Sequence, residues 1–416
     1  MSSRGALEGL DYSSPLVKYR GEKVLRIARL FLQRDPPVDY VFAADVFYAF
    51  YLPAPILRED VECSSKPVVL SILTSHIGVY LRSKTVLDVL ASTLASSLLM
   101  SYLFEKQAST AAGESREPGV SMGIEDAEHV LAEVARQVEV ADKVRLLVGG
   151  LEPGVGSDLT LEDYSVELLR LAREADVREV LKVLGGVKRW ELASSSKYTM
   201  AKRGEKLGYV LGHDVERLSP RSLAYPDEVF YARFAEGKLL LYEKGIRLSR
   251  SPIYVLVDKS GSMNGEKIVW AKAVAMALYI KATRSSRDFY VRFFDSEPHP
   301  PLKAEHARRA SSGIQVLSYI ARVKSSGGTD ITKAISAALS DAEREKLKEL
   351  SIVVVTDGID RVNEKLVLEK LKSTNSRLIS VMVKGDNQSL RKISAHYFRV
   401  EKLSQKEILK VVKTIG

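Results

Sequence analysis

IYVLVDKSGS, residues 253–262, joins an apolar run of five residues to a turn rich in oxygen-bearing side chains. IYVLV is apolar at odd and even positions alike, the pattern of a strand covered on both faces in a parallel sheet. A second run of this kind, Ile352–Val355 (IVVV), leads into Thr356-Asp357-Gly358. Phe289–Phe294 (FYVRFF), Leu378–Val383 (LISVMV) and Tyr397–Val400 read as further short strands. Helical patterns at Gly265–Arg284, Ile314–Val323, Ile331–Ser340, Glu364–Lys372 and Gln405–Lys413 stand between or after them. Strand and helix in this alternation predict an α/β doubly wound, mostly parallel, Rossmann-like sheet over residues 251–416. In such sheets ligands bind where loops leave the carboxyl ends of the strands.

Working back toward the N-terminus, the pattern changes. Leu16–Gln33, Tyr40–Tyr51, Val68–Phe104, Leu161–Leu184, Tyr198–Leu211 and Pro226–Lys244 are predicted to be helical, so residues 1–250 form a mainly α-helical region. Gln107–Gly123 is small, polar and proline-containing, and marks a break inside that region. Val148–Ser157 is glycine-rich but lacks the Lys-Ser/Thr of a phosphate-binding loop, and reads as a plain turn.

Composition removes several classes of function. The longest charge-free stretch, Val89–Phe104, is 16 residues and holds four serines and a threonine; a membrane-spanning helix needs about 20 apolar residues. The N-terminal residues have no apolar signal core, and a single cysteine, Cys63, leaves no internal disulfide framework. The expectation is a cytoplasmic protein. Residues 251–416 hold 29 Lys+Arg against 18 Asp+Glu, a net of +11, while the remaining 33 and 35 leave residues 1–250 at −2. A basic C-terminal half could attract an acidic protein or, as the alternative, nucleic acid. The six histidines show no spacing with a nucleophile, so no catalytic residue is assigned and a non-enzymatic protein is expected.

Three loops at strand ends or helix starts carry oxygen ligands: Asp258-Lys259-Ser260-Gly261-Ser262, Gly327-Gly328-Thr329-Asp330 and Thr356-Asp357-Gly358. Alternate placement of Asp258, Ser260 and Ser262 lets one tight turn aim three side chains at a point. Thr329 and Asp357 add a hydroxyl and a carboxylate. Mg²⁺ takes oxygen ligands in an octahedral shell, and Mn²⁺ or Ca²⁺ would be held by the same donor types. Two carboxylates neutralise a divalent ion without excess, so an outside Asp or Glu could complete the shell. Asp330 and Asp295 lie close enough in the pattern to orient a hydroxyl, although Asp330 reads equally well as a helix cap and Asp295 as a turn residue.

These residues carry a resemblance. DKSGS, GGTD and TDG together resemble the metal-ion-dependent adhesion site of the von Willebrand factor A (VWA) family, over residues 253–416. The resemblance implies that Asp258, Ser260, Ser262, Thr329 and Asp357 ligate Mg²⁺ or Mn²⁺ and that the metal grips an acidic side chain of a partner. Leu211–Gly245, followed by SPIYVLVDKSGSM and AKAVAMALYIKA, is similar to the ViaA/CoxE-like VWA proteins. That likeness implies partnership with a MoxR-family AAA+ ATPase in chaperoning or assembling protein complexes. Lys259 stands where that family often has Thr, and Asp295 where it often has Ser. A helical module joined to a VWA domain also resembles, in architecture, the Ro-type RNA-binding proteins.

Overall fold

The computed structural model describes residues 5–110, 124–149, 164–185, 198–247, 251–285, 287–304, 309–347, 349–358 and 360–415. The chain begins with a helical region: α1 (Pro15–Leu32), α2 (Tyr40–Tyr51), α3 (Lys66–Thr74), α4 (His76–Thr85), α5 (Val89–Thr110), α6 (Ile124–Gly149), α7 (Ser165–Arg173) and α8 (Ala175–Leu184). α2 is capped by the Asp39 side chain, which accepts from the Phe42 amide at 3.0 Å. It is buried almost throughout, with Phe42, Val46, Phe47 and Phe50 in the core. Asp45 in this helix is fully buried and accepts from the Ala6 amide and the Ser65 hydroxyl, so it ties the N-terminal segment and the start of α3 to the bundle.

The expected helix over Tyr198–Leu211 and the second half of the one over Pro226–Lys244 are strands instead, while the first half of the latter is helical. Tyr198–Gly212 is a strand, β1, paired antiparallel with β2 (Leu239–Arg247); helix α9 (Asp227–Ala235) and two short turns lie between them. The physical reason is a period of two on β2, against which the end of β1 pairs. Tyr209 and Leu211 are exposed and face Tyr242 and Leu240 in the register, while Leu239 and Leu241 on β2 are buried on the opposite face. The expected breaks at Gln107–Gly123 and Val148–Ser157 lie largely outside the described residues.

The C-terminal part forms a mixed, mostly parallel six-stranded sheet. Its strands are β3 (Ile253–Asp258), β4 (Phe289–Phe294), β5 (Leu302–Ala304), β6 (Ser351–Thr356), β7 (Arg377–Val383) and β8 (His396–Val400), in the order β5-β4-β3-β6-β7-β8. Every pair is parallel except β4 with β5, a three-residue edge strand. Helices α10 (Glu266–Arg284), α11 (Arg309–Arg322), α12 (Ile331–Arg344), α13 (Glu364–Ser373), α14 (Gln388–Ile393) and α15 (Gln405–Thr414) connect and follow the strands. Alternate residues of β3 feed two cores. Ile253, Val255 and Val257 pack with α10, α11 and α15, whereas Tyr254 and Leu256 pack with Ile335, Leu339 and Val367 of α12 and α13. Each fully buried side chain of this size contributes about 1.5–3 kcal/mol.

The helical region joins the first of these cores. α8 packs on α10, and α6 and α7 on α11. At that junction the nearly buried Lys272 of α10 donates to Asp176 of α8 at 2.5 Å and to the Val323 carbonyl at 2.7 Å. The chain runs from β3 through β4 and β5 on one side, then returns to place β6 on the other side of β3. β3 and β6 are therefore neighbours at the point where strand order reverses, and their carboxyl ends open into the crevice where ligands bind in sheets of this type.

Candidate metal centre at the strand ends

Asp258 is the last residue of β3 and Asp357 follows the last residue of β6, so the parallel β3–β6 pairing sets two carboxylates beside one another. Both are buried. Asp258 accepts from the Ser260 amide at 2.8 Å and from the Thr356 hydroxyl at 2.6 Å. Burial pushes its carboxyl above the usual range against these hydrogen bonds, and the charge of Asp357 pushes the same way. One Asp357 oxygen, Oδ2, accepts from the Lys267 ammonium at 3.1 Å. The other, Oδ1, is buried and has no hydrogen-bond partner among the described residues. A buried carboxylate oxygen left in this way is costly unless something charged meets it.

The serines converge as their spacing requires. Ser260 and Ser262 hydroxyls lie 3.1 Å apart, and a short 3₁₀ turn at Gly261–Met263 carries the chain on toward α10. The loop before α12 is laced to this turn. The Gly261 amide donates to the Gly327 carbonyl at 3.0 Å, and the Ser326 amide to the Lys259 carbonyl at 2.7 Å. Thr329 lies two residues beyond Gly327 and is half-buried. All three loops thus meet at one crevice.

Two glycines shape the β6 side. Gly358 has φ +78°, a backbone that L side chains rarely adopt. Gly385 passes under the same loop, where an added Cβ would stand 1.9 Å from the Asp357 carbonyl oxygen. Asn387 holds the loop from beneath by donating to the carbonyls of Gly358 and Asp360 at 3.0 and 2.8 Å.

Asp330 and Asp295 have distinct surroundings. Asp330 accepts from the Lys333 amide at 2.8 Å and is the N-cap of α12. Asp295, after β4, pairs with the Lys259 ammonium at 2.6 Å, and His299 stands 3.2 Å from the same oxygen. Burial alone would raise the Asp295 carboxyl. Hydrogen bonds from Lys259, the Glu297 amide and His299, with the lysine charge, outweigh it and hold the pKa at about 2. Lys259 also donates to the Ser326 hydroxyl at 3.1 Å. Lys259 and Asp295 are therefore partners, and their ion pair bridges β3, β4 and the Thr329 loop.

Sequence reasoning named neither Lys267 nor Thr356 as part of the site, and did not see Gly385. Thr356 was legible as the residue before the Asp-Gly turn; the other two required knowledge of what packs across the crevice. Among the described residues, no three His, Cys, Asp or Glu side chains gather. The donor set is two carboxylates and neighbouring hydroxyls, all hard oxygen, with one carboxylate oxygen lacking a partner. That chemistry fits a hard divalent cation such as Mg²⁺ rather than a nitrogen- or sulfur-seeking metal.

Comparison with known proteins gives the architecture a family. Residues 253–412 match the von Willebrand factor type A domain. The chain is 28% identical to an uncharacterized protein of Methanocaldococcus jannaschii, over 91% of this chain and 92% of that one. Among solved structures it is similar to a von Willebrand factor type A protein from Catenulispora acidiphila (17% identity, TM-score 0.33, covering 41% of this chain and 44% of that one). It is also similar to BatB, a conserved hypothetical protein from Bacteroides thetaiotaomicron (15% identity, TM-score 0.32, covering 40% of this chain and 98% of that one). Residues 253–412 are a von Willebrand factor type A domain.

Proposed function

We propose that this chain is a non-enzymatic adaptor that binds a divalent cation at Asp258, Ser260, Ser262, Thr329 and Asp357, and through it an acidic side chain of a protein partner. The observation that carries this reading is the pair of buried carboxylates at the ends of adjacent strands, one of whose oxygens meets no partner among the described residues. When bound, the ion supplies Lewis-acid attraction for an incoming carboxylate. The chain's own residues do the rest: Thr356 and the Ser260 amide fix the Asp258 carboxylate, and the Gly261–Gly327 contact holds the two hydroxyl-bearing loops together. Two carboxylates balance a divalent charge, which leaves the ion's outer face attractive to one more anion.

The partner we propose is a MoxR-family AAA+ ATPase, on the resemblance of Leu211–Gly245 and the following strand to ViaA/CoxE-like proteins. The helical region, packed on α10 and α11 behind the site, would hold the domain against the ATPase or its client. The test is a binding assay between the full chain and a purified MoxR-type ATPase of the same organism. A complex that forms with Mg²⁺ and is lost with EDTA and in Asp258→Asn supports the reading; a complex indifferent to both refutes the metal bridge.

A further inference from the structure

Lys267 stands in the first turn of α10, and its ammonium reaches across the crevice. It lies 3.1 Å from Asp357 Oδ2 and 3.1 Å from the Ser262 carbonyl oxygen, with its side chain about one quarter exposed while that of Asp357 is essentially buried. It therefore contacts two of the five residues proposed to hold the metal, with one positive charge where two buried carboxylates stand together. We infer that Lys267 is a built-in competitor of the divalent ion: it neutralises Asp357 when no metal is bound, and must give way, at a cost in affinity, when one enters. This inference rests on the metal-binding reading above.

Three features support it. The buried Asp258 and Asp357 carboxylates stand at the ends of adjacent parallel strands, so a positive charge between or beside them is favoured whether it comes from the lysine or from an ion. A lysine is suited to the exchange because its ammonium is a compact charge on a flexible four-carbon stem, and it forms no bidentate lock with the carboxylate. Its partial exposure gives the displaced ammonium a route to water at the rim of the crevice. There it would stand beside the ion's outer face, as a second point of attachment for the acidic side chain that the ion attracts. The device would keep the crevice closed to weakly bound ions and couple metal loading to the appearance of a free positive charge at the binding face.

The experiment is a Mn²⁺ titration of the full chain, followed by the free-ion signal in electron paramagnetic resonance, for wild type, Lys267→Met, Lys267→Arg and Asp357→Asn. Methionine keeps the apolar stem and removes the charge. The expected result is about tenfold tighter Mn²⁺ binding in Lys267→Met, the scale of one nearby charge in a partly hydrated site. Lys267→Arg should stay near wild type, and Asp357→Asn should lose binding. Without metal, Lys267→Met should melt below wild type, and saturating Mn²⁺ should raise its Tm by more than it raises that of wild type. Equal or weaker Mn²⁺ binding in Lys267→Met, with wild-type binding intact and abolished by Asp357→Asn, overturns the competitor role and leaves the metal site standing. Absence of Mn²⁺ binding in all four proteins overturns both.

Discussion

Asp258→Asn separates binding from folding more sharply than any other change at the site. The Asp258 carboxylate accepts two hydrogen bonds, one through each oxygen, from the Ser260 amide and the Thr356 hydroxyl. Asparagine has nearly the same shape but one acceptor oxygen, so it keeps one of those bonds and turns an NH₂ group toward the other donor. Losing a hydrogen bond to a charged acceptor costs about 1.5–3 kcal/mol. On the other side, the substitution removes a fully buried charge that faces Asp357, and the effective penalty for such a buried ion is several kcal/mol. Relief exceeds loss, so the metal-free variant should be as stable as wild type or more stable by roughly 1–2 kcal/mol. In metal the order should invert. A ligand is gone and the ion meets one carboxylate instead of two, so divalent affinity should drop by at least about a hundredfold, beyond the 10–100-fold typical of residues that only support a ligand. Urea unfolding of both proteins, in EDTA and in saturating Mg²⁺, reads both effects. A variant destabilised equally in the two conditions, or a wild type that Mg²⁺ does not stabilise, would refute the reasoning.

Two further outcomes follow from the same geometry. Asp341 lies away from the strand-end loops and accepts from the Tyr254 hydroxyl at 2.7 Å and from Arg292 at 2.6 Å, both nearly buried; Asp341→Ala strands the guanidinium and should cost about 3–5 kcal/mol in urea unfolding while sparing Mn²⁺ affinity, and a cost under about 1 kcal/mol would contradict the buried network. Asp295, held at about 2 in the folded state against an ordinary value of 3.8, contributes stability that is complete above the ordinary value and is lost as pH falls from there through about 2; unfolding followed from pH 5 down to pH 2 should show a shallower decline in Asp295→Asn than in wild type, and parallel curves would remove the Lys259–Asp295 pair from the account.

The C-terminal sheet was legible because its central strands are short, apolar on both faces and each closed by a polar turn. IYVLV and IVVV could be strands of little else, and their ends placed Asp258 and Asp357 without knowledge of the pairing. The Tyr198–Gly212 strand was not legible, because Met200–Lys206 (MAKRGEK) is rich in residues that favour helix, and the strand is stabilised by pairing with β2 across α9. Tyr209, Val210 and Leu211 are three apolar residues in a row, all exposed, and carry no alternation of their own; the period of two lies on the partner strand, where Leu239 and Leu241 are buried. β5, also three residues, exists by pairing with β4 at the sheet edge. At the site, the side chains that sit within one loop were readable from spacing. The Lys259–Asp295 and Lys267–Asp357 pairs join residues 36 and 90 positions apart, and arise from the fold itself.

Among the described residues, no helix is long and apolar enough to cross a membrane.

The most direct measurement is a crystal of the full chain grown with Mn²⁺ and recorded at a wavelength where manganese scatters anomalously. The account predicts one strong anomalous peak in the crevice between β3 and β6, with oxygens of the Asp258, Ser260, Ser262, Thr329 and Asp357 group at about 2.0–2.6 Å or joined to the peak through a single water, and with the Lys267 ammonium withdrawn from Asp357. A crevice free of anomalous density at saturating Mn²⁺, with Lys267 still seated on Asp357, would contradict it.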